Sequence, residues 1–288
     1  MLTNMACGLL MVAACMGQAD VWLLAGQSNM QGSGRVDQLP AEVPKTIPHA
    51  FFWSGKEFEP LVLGKTKTSN TADRFGPEIG FALAMATSAR PVYLIKYHAS
   101  GMPLHHGING GTWVGPDPGL NRRNFYPGEK SADPNVGTLY RAMLVRFRDG
   151  ISNLAGAGKA PVVRGFLWMQ GEQDAKHEMA AKSYATSMRR LKVRLGEDLG
   201  VAFPMIYGQA LPHEPAMARF THRMELRRQM ALADQASGQP EAIPGAVMVS
   251  TDGFGLLSDT VHYDTSGQLK LGRAMAEVAR KIQGNGNQ

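Results

Sequence analysis

A short apolar run that polar residues follow at once stands near the start of the chain, in Val21-Trp22-Leu23-Leu24-Ala25-Gly26-Gln27-Ser28-Asn29-Met30. An apolar run of this length between turn signals predicts a buried strand, here over 20–26. Further runs of the same kind predict strands over 92–97, 162–168, 205–210 and 247–251. The sequence therefore indicates five buried strands, some of which end in a polar segment.

Helical periodicity accounts for much of the chain between and after these strands. It predicts helices over 77–89, 139–154, 181–199, 218–236 and 266–283. Strands that alternate with helices predict one parallel sheet covered by helices on both faces, which is an α/β fold of three layers. Ligands of such sheets bind beyond the carboxyl ends of the strands, so polar residues just after a strand are the first candidates for a site.

Composition and charge narrow the class of protein. The 288 residues are 44% hydrophobic and 19% charged, which permits a sizeable core and excludes an intrinsically disordered chain. The net charge is +6, and we interpret the basic segments 189–194 and 223–228 as solvated helix faces rather than a nucleic-acid site. No apolar run reaches the roughly 18 residues of a membrane span. We predict a single domain over 20–283 and a frayed tail over 284–288.

Residues 1–19 have the pattern of a signal peptide. The apolar stretch 5–16 is too short to span a membrane, and Gly17 and Ala19 place small residues before a cleavage point. This pattern predicts a secreted or periplasmic protein, although no Lys or Arg precedes the apolar stretch. A buried N-terminal helix and a lipoprotein with its lipid on Cys15 are the alternatives.

Two residues near opposite ends of the chain could form a nucleophile and its base. Ser28 follows the first predicted strand, where a serine either caps a helix or exposes its hydroxyl on a tight turn. His262 lies before the last predicted helix, three residues after Asp259. A carboxylate at that spacing can hold the imidazole and leave its other nitrogen free to take a proton from a serine. Asp259 as an ordinary turn residue is the competing interpretation.

Two further blocks contain groups that could stabilise an oxyanion. Gln170 follows the strand at 162–168, and its amide could donate a hydrogen bond to a developing negative charge. Gly101 follows the strand at 92–97, and its missing side chain would let its N–H approach a substrate closely. Gln170 and Glu172 could equally be ordinary loop residues that precede the next helix.

The segment 98–137 is a long loop with several aromatic residues. Loops of that length are uncommon and are usually functional. Trp113 and Tyr126 could stack on sugar rings, although packing of the loop on itself would explain them equally well.

A zinc site is the main chemical alternative. It would use His98, His105 and His106 if the loop folded back on itself. Adjacent histidines rarely face one site and no helical spacing supports these three, so the prediction is that no metal is bound.

Four of the blocks just described and one further block, 76–78, together carry a resemblance to a known family. They are Gly26-Gln27-Ser28-Asn29-Met30, Gly76-Pro77-Glu78, Ser100-Gly101, Trp168-x-Gln170-Gly171-Glu172-x-Asp174 and Asp259-x-x-His262. In this order they resemble the SGNH (GDSL-like) hydrolase superfamily, and within it carbohydrate esterase family 6 and the related sialate O-acetylesterases. The resemblance implies a flavodoxin-like fold with a central five-stranded parallel sheet, and a hydrolase that needs no metal or cofactor.

The resemblance also implies a role for each candidate residue. Ser28 is expected to be the nucleophile, His262 the general base and Asp259 its orienting carboxylate, with Glu172 as a rival or additional orienter. The oxyanion hole is expected to combine the N–H groups of Ser28 and Gly101 with the amide of Gln170. Substrate binding is assigned to Asn29, Trp113 and Tyr126.

The expected activity is removal of O-acetyl groups from an acetylated polysaccharide through an acetyl-enzyme intermediate. Acetylated xylan is the favoured substrate, which would make the protein an acetylxylan esterase, and O-acetyl sialic acid is the second choice. An esterase of small or lipid esters and a catalytically silent carbohydrate-binding protein with the same fold are the other hypotheses.

Overall fold

The computed structural model of the chain describes residues 17–212 and 217–285. Its strands, numbered along the chain, are β1 (Gln18–Gly26), β2 (Gly34–Arg35), β3 (Thr46–Trp53), β4 (Phe58–Val62), β5 (Arg74–Phe75), β6 (Val92–His98), β7 (Ile108–Asn109), β8 (Thr112–Trp113), β9 (Ala160–Met169), β10 (Met205–Gly208) and β11 (Ala246–Val249). Its α-helices are α1 (Ser28–Gln31), α2 (Pro77–Met85), α3 (Thr138–Gly156), α4 (Glu178–Lys182), α5 (Tyr184–Leu199), α6 (Arg223–Ala233) and α7 (Thr265–Asn285).

A mostly parallel sheet of seven strands forms the centre of the molecule, in the order β11-β10-β9-β1-β6-β3-β4. The five predicted strands are its consecutive members from β11 to β6, and neighbours among them pair in parallel. The predicted α/β fold with a central parallel sheet is therefore confirmed. The predicted helices correspond to α2, α3, α5, α6 and α7, although α2 and α6 are shorter than expected.

The sheet has seven strands rather than the expected five, because the segment between β1 and α2 contributes β3 and β4. Both strands contain a proline, which lacks a backbone donor and argues against a strand when only the sequence is considered. Pro60 lies in β4, the antiparallel edge strand. Pro48 precedes the part of β3 that pairs with β6, which is 50–52. Both prolines therefore stand where the sheet tolerates them.

Helices cover both faces of the sheet. On one face α2 packs against α7, and Trp22 of β1 meets Phe81 of α2 edge to face, with ring centroids 4.8 Å apart. On the other face α3 packs against β1, β6 and β9. It lies so close that a side chain at Gly150 would begin 2.6 Å from a side-chain carbon of Ile95. The central strands are buried between two layers, which explains why they are apolar without alternation.

A buried carboxylate helps to hold the long loop between β6 and α3 to the sheet. Asp174, which follows β9, is inaccessible to solvent and accepts N–H bonds from Leu104 at 3.0 Å and His105 at 2.9 Å. It also accepts a bond from the amide of Gln170 at 2.6 Å. Burial raises the pKa of Asp174 to about 6, although these bonds oppose the shift. The loop therefore has a defined position at the carboxyl edge of the sheet.

A fully buried ion pair lies beneath the turn that follows β1. Lys96 Nζ of β6 is 2.6 Å from Glu78 Oε2 of α2, and neither side chain is exposed. Lys96 also donates to the carbonyl of Gln31 at 3.0 Å, and Glu78 Oε1 accepts the Gly76 N–H at 2.8 Å. Burial lowers the pKa of Lys96 more than the charge of Glu78 raises it. The pair thus joins β6, α2 and α1.

We expect Lys96→Met to lower the free energy of unfolding by about 3–5 kcal/mol, because it leaves the Glu78 carboxylate buried and unpaired. The double variant Lys96→Met/Glu78→Met should recover part of this loss, since it removes both buried charges. Urea titrations followed by circular dichroism measure both values. Lys182→Met is the control, because its exposed pair with Glu178 should contribute less than about 1 kcal/mol. A double variant less stable than Lys96→Met would contradict this prediction.

Both chain ends lie partly outside the described residues. The predicted signal peptide, 1–19, is described only from Gly17 onward, so export stays a prediction. Ala19 is buried in β1 opposite Pro161, so this strand begins before the expected cleavage point. At the other end α7 continues to Asn285 and so includes the first two residues of the predicted tail, 284–288, whose last three residues lie outside the described part of the chain. Among the described helices, none is long and apolar enough to cross a membrane.

Candidate active site

A cavity of about 430 Å³ lies at the carboxyl edge of the sheet, where the polar blocks that follow the strands meet. Ser28 comes from the turn after β1, Gly101 from the loop after β6, and Glu172 from the segment after β9. His262 comes from the segment between β11 and α7. The cavity is lined by Gln27, Ser28, Ser100, Gly101, Glu172, Gln173, Lys176, Arg219, Phe220, Val261 and His262. We call it the catalytic cavity below.

Three side chains form a continuous hydrogen-bonded chain at this cavity. His262 Nε2 is 2.9 Å from Ser28 Oγ, and His262 Nδ1 is 2.5 Å from Asp259 Oδ2. The two ends of the chain, 234 residues apart, thus meet in one contact. In this arrangement the carboxylate holds the Nδ1–H tautomer, and Nε2 can accept the serine proton.

The turn that holds His262 is organised by the same carboxylate. Asp259 Oδ1 accepts the N–H groups of Val261 and His262, both at 2.9 Å, while Oδ2 bonds to the imidazole. Burial would raise the pKa of Asp259, but the bonds from the His262 ring and these two N–H groups lower it below its usual value. Asp259 is therefore both a turn residue and the partner of the histidine, so the two interpretations from sequence are compatible.

Glu172 lines the same cavity but makes a different contact. Its Oε1 accepts the Nδ2 of Asn29 at 2.6 Å, and its side chain is almost wholly buried. Its Oε2 has no hydrogen-bond partner among the residues that the structure describes. Burial raises the pKa of Glu172, and the bond from Asn29 only partly offsets this. In this geometry the imidazole is bonded by Asp259 and not by Glu172.

Two backbone donors at the cavity have the character expected of an oxyanion hole. Ser28 begins α1, where the first N–H groups of a helix lack intrahelical partners. Gly101 has φ of +68°, a conformation that favours glycine. Neither N–H has an acceptor within the ranges 17–212 and 217–285. Both groups therefore remain free to donate to a bound oxyanion.

The Gln170 amide lies elsewhere than expected. Its side chain is fully buried and is absent from the lining of the catalytic cavity. Its Nε2 donates to Gln27 Oε1 and the Met102 carbonyl, both at 3.2 Å, and to Asp174 at 2.6 Å. Its Oε1 accepts the hydroxyl of Tyr184. The amide thus joins three segments beneath the cavity, and donation to an oxyanion would require it to exchange these bonds.

Asn29 is also placed differently from the expected substrate contact. Only 1% of it is exposed, and its Nδ2 donates to Glu172 at 2.6 Å and to the carbonyl of Val261 at 2.9 Å. Its Oδ1 accepts the N–H of Tyr263 at 3.1 Å. Asn29 therefore joins the nucleophile turn to the segment that carries His262. An amide with three internal partners has little capacity left for a ligand, so this position favours a bridging role over substrate binding.

We expect Asn29→Ala to lower the free energy of unfolding by at least about 3 kcal/mol, because three buried partners each lose a bond worth about 1–3 kcal/mol. Chemical denaturation measures this loss. The control is Asn70→Ala, which removes an exposed amide without a hydrogen bond among the described residues and should cost less than about 0.5 kcal/mol. Equal stability of the two variants would contradict the bridging role.

The two aromatic residues assigned to substrate binding have different positions. Tyr126 is buried, with its hydroxyl bonded to Glu129 at 3.0 Å and its ring against His106, so it is a loop-packing residue. Trp113 is half-buried beside a second cavity of about 330 Å³. That cavity shares Lys176 with the catalytic cavity.

Two cations at the catalytic cavity, Lys176 and Arg219, were not predicted from the sequence. Lys176 donates to Gln173 Oε1 at 2.7 Å, and the Arg219 guanidinium lies over the ring of Phe220, 5.0 Å from its centroid. Burial, and then the charge of Arg219, lower the pKa of Lys176, while Glu172 raises it. The position of Lys176, just after the Trp168–Asp174 block, was the available signal for one of them. Arg219 lies far from any strand end, so no pattern indicated it.

The three histidines of the zinc hypothesis do not form a ligand cluster. His105 and His106 stack on each other with centroids 4.2 Å apart, while His98 lines a different cavity. Within the described part of the chain, no group of three or more His, Cys, Asp or Glu residues is arranged to hold a metal ion.

Comparisons with known proteins agree with this fold and place the chain in a family. The model of the family described as carbohydrate esterase, sialic acid-specific acetylesterase matches residues 18–281. The chain is 26% identical over 204 residues to a probable carbohydrate esterase of Arabidopsis thaliana, At4g34215, which covers 64% of this chain and 71% of that protein.

Solved structures share the fold. The crystal structure of that Arabidopsis protein aligns with a TM-score of 0.67 at 20% identity, over 92% of this chain and 98% of the other. NanS aligns with a TM-score of 0.61 at 12% identity, over 94% and 99% of the two chains. XAC1771, a carbohydrate acetylesterase from Xanthomonas citri, aligns with a TM-score of 0.52 at 17% identity, over 91% and 56%.

The family match covers nearly the whole described chain, from the first strand into the last helix. It agrees with the SGNH-type architecture and with the resemblance drawn from the sequence blocks. The chain therefore belongs to the carbohydrate esterase family of sialic acid-specific acetylesterases, and it is a carboxylic ester hydrolase.

Proposed function

We propose that this protein is a serine O-acetylesterase of acetylated glycans, with Ser28 as nucleophile, His262 as general base and Asp259 as its orienting carboxylate. One observation carries the proposal, the continuous chain of short contacts from Asp259 through His262 to Ser28 at the cavity. A carbohydrate-binding protein without catalytic activity does not require a serine hydroxyl in contact with a histidine that can act as a base.

The reaction proceeds in two steps. The Ser28 hydroxyl attacks the acetyl carbonyl carbon while His262 Nε2 takes its proton, and the N–H groups of Ser28 and Gly101 bind the developing oxyanion. The tetrahedral intermediate collapses, His262 returns the proton to the leaving sugar oxygen, and an acetyl-Ser28 ester remains. Water, deprotonated by His262, then attacks this ester, releasing acetate and restoring the Ser28 hydroxyl.

Acetylated xylan is the first substrate to test. The neighbouring cavity that shares Lys176 with the catalytic cavity presents Trp113 and His177, whose ring centroids are 5.8 Å apart. An aromatic face beside the reaction site suits a second sugar ring, which supports a polymeric substrate rather than a small ester.

O-acetyl sialic acid is the second candidate, and the cations at the catalytic cavity favour it. Lys176 and Arg219 form no ion pair within the described residues, so a carboxylate on the acetylated sugar could bind them. The description of the matching family names the same substrate class. A neutral xylose unit would gain nothing from these charges.

Acetate release distinguishes these substrates. Purified protein is incubated separately with acetylated xylan, 9-O-acetyl sialic acid, a short aryl acetate and a long-chain aryl ester, and the rates are compared. We expect release from an acetylated glycan and little activity on the long-chain ester. Faster hydrolysis of the long-chain ester would favour a lipid or small-ester esterase. Specific binding of xylan without any acetate release would favour a silent binding protein.

We also propose that the protein is exported, on the basis of the pattern in residues 1–19. Mass spectrometry of protein recovered from the periplasm or the medium tests this. An N-terminus at Asp20 would agree with the expected cleavage, whereas a lipid-modified Cys15 would support the lipoprotein alternative.

A further inference from the structure

Another polar cavity, distinct from the one beside Trp113 and larger than the catalytic cavity, opens beside β6. It has a volume of about 560 Å³, within the range of ordinary ligand sites. We call it the lateral cavity. Its polar lining includes Ser54, Lys67, Asn70, His98 and Arg146. The proposed reaction uses none of these residues.

The lateral cavity exists because two neighbouring strands end at different levels. Phe52 of β3 lies opposite Leu94 of β6, so β3 ends at the level of Ile95, whereas β6 continues to His98. Beyond Ile95 the described residues place no strand beside β6 on the side of β3, and the space there is open at the carboxyl edge of the sheet. Ligand sites of parallel sheets lie at this edge.

Arg146 of α3 is fixed in this space by two backbone carbonyls. Its Nε donates to the Lys96 carbonyl at 2.6 Å, and its Nη2 donates to the Trp53 carbonyl at 2.7 Å. Its Nη1 has no hydrogen bond, and no carboxylate of the described chain forms an ion pair with it. Burial lowers the pKa of Arg146, as expected for a guanidinium without a counter-charge.

The free nitrogen of this guanidinium is kept open by a glycine. Gly55 follows β3 with φ of +105°, and a Cβ at this position would lie 3.2 Å from Arg146 Nη1. A side chain at position 55 would therefore crowd Nη1, the nitrogen of this guanidinium that has no hydrogen bond among the described residues. A planar guanidinium held in place with a free N–H is suited to a carboxylate or phosphate.

The surroundings of this donor are positive. Lys67 is exposed at the rim and has no ion pair among the described residues. Burial, with Lys96, Arg146 and Lys67, lowers the pKa of His98 to about 3, so this histidine is neutral at physiological pH. Asp149 is the only acidic side chain in the lining as described, and it is exposed and not part of any ion pair there.

The lateral cavity and the catalytic cavity are lined by neighbouring residues of one segment. His98 lines the first and Ser100 lines the second, and the Cα atoms of residues two positions apart are at most about 7 Å from each other. A glycan with its acetyl group at Ser28 could therefore place a neighbouring group in the lateral cavity. We propose that the lateral cavity binds a carboxylate-bearing sugar unit of the acetylated glycan, a specificity determinant that rests on the proposed function.

Selectivity between acidic and neutral substrates tests this proposal. Acetylated xylooligosaccharides with and without a glucuronic acid branch form one matched pair. The pair of 9-O-acetyl sialic acid and its methyl ester distinguishes a carboxylate on the acetylated sugar itself. The measured ratio is kcat/KM for the acidic substrate divided by kcat/KM for its neutral counterpart. In one of the two pairs, we expect Lys67→Gln and Arg146→Gln each to lower this ratio by about tenfold, which is the usual contribution of one charge-assisted hydrogen bond.

Arg148→Gln is the matched control. Arg148 lies on the same helix two residues further on, about 200° around its axis, and donates to the Asp198 carbonyl at 2.6 Å. Arg148→Gln removes the same charge as Arg146→Gln, but from another side of the helix, so it should leave the ratio unchanged. An equal fall in all three variants, or no fall in either pair with Lys67→Gln, would overturn the proposal. Lys67→Gln keeps the test valid if Arg146→Gln fails to fold.

Binding separates this proposal from the proposed function. Calorimetry with Ser28→Ala protein and a glucuronic acid-bearing xylooligosaccharide without acetyl groups measures affinity without a reaction. We expect Kd to rise about tenfold when Lys67→Gln is added. Lys67-dependent binding without acetate release from any ester would refute the esterase and retain the carboxylate site. Acetate release with no dependence of affinity or selectivity on Lys67 and Arg146 would refute the carboxylate site alone.

Discussion

Ser28→Ala is expected to lower kcat for acetyl ester hydrolysis by about 10⁶-fold, which is the usual cost of removing a serine nucleophile that acts with a histidine. The variant removes the hydroxyl 2.9 Å from His262 Nε2, so no acetyl-enzyme can form. Ser28 is only partly buried, and the fold should be retained. Initial rates with an aryl acetate measure the loss, and circular dichroism checks the fold.

Ser100→Ala is the matched control for this variant. Ser100 lines the same cavity, but its hydroxyl bonds to Gln31 Oε1 at 2.8 Å rather than to the imidazole. We expect a far smaller loss of kcat from this change. A fluorophosphonate should add its mass to the wild-type protein and not to Ser28→Ala. Labelling of both proteins at another serine, or similar rates for Ser28→Ala and wild type, would remove Ser28 from the nucleophile role.

Asp259→Asn is expected to lower kcat by about 10⁴-fold, because an amide cannot hold the imidazole in the tautomer that accepts the serine proton. The bond between Asp259 Oδ2 and His262 Nδ1 is the shorter of the two contacts of this ring. An amide placed there either donates to Nδ1 or bonds more weakly as an acceptor. Steady-state rates measure the loss, and an unfolding titration separates it from any effect on stability.

Glu172→Gln distinguishes the two carboxylates. Because Glu172 bonds to Asn29 and not to the imidazole, we expect a much smaller loss of kcat than for Asp259→Asn. Burial raises the pKa of Glu172, so its ionised form is less favoured in the folded protein than in water, and a neutral amide should be accepted in its place. If Glu172→Gln lost more activity than Asp259→Asn, Glu172 would be the main orienter.

The strands of the central sheet could be predicted because both of their faces are covered. A strand buried on two sides needs apolar residues throughout, and this leaves a clear pattern, as in 20–26 and 162–168. β3 and β4 lie toward the edge, where one side is less constrained and prolines are tolerated, so their pattern is weak. Strand ends were also less predictable, since β9 begins at Ala160 rather than Val162.

The candidate site likewise combines residues that could be predicted from the sequence with residues whose roles could not. The blocks around Ser28 and His262 could be identified because each combines a strand or helix boundary with a chemically distinctive residue. Gln170 and Asn29 were assigned to ligand contacts, but each amide is occupied by internal partners. Sequence identifies an amide near the site without indicating which way it points, because orientation depends on acceptors from distant segments.

The sequence by itself determined the layer order of the fold, the family, and the residue types available for chemistry, since these depend on local periodicity and on motifs read within a few residues. Only the tertiary structure decided that Asp259 rather than Glu172 bonds to His262, and that Arg146 keeps its Nη1 free beside Gly55. Such choices depend on contacts between segments far apart in the chain. Their geometry is set by how strands of unequal length and the helices over them pack, and no local pattern records it.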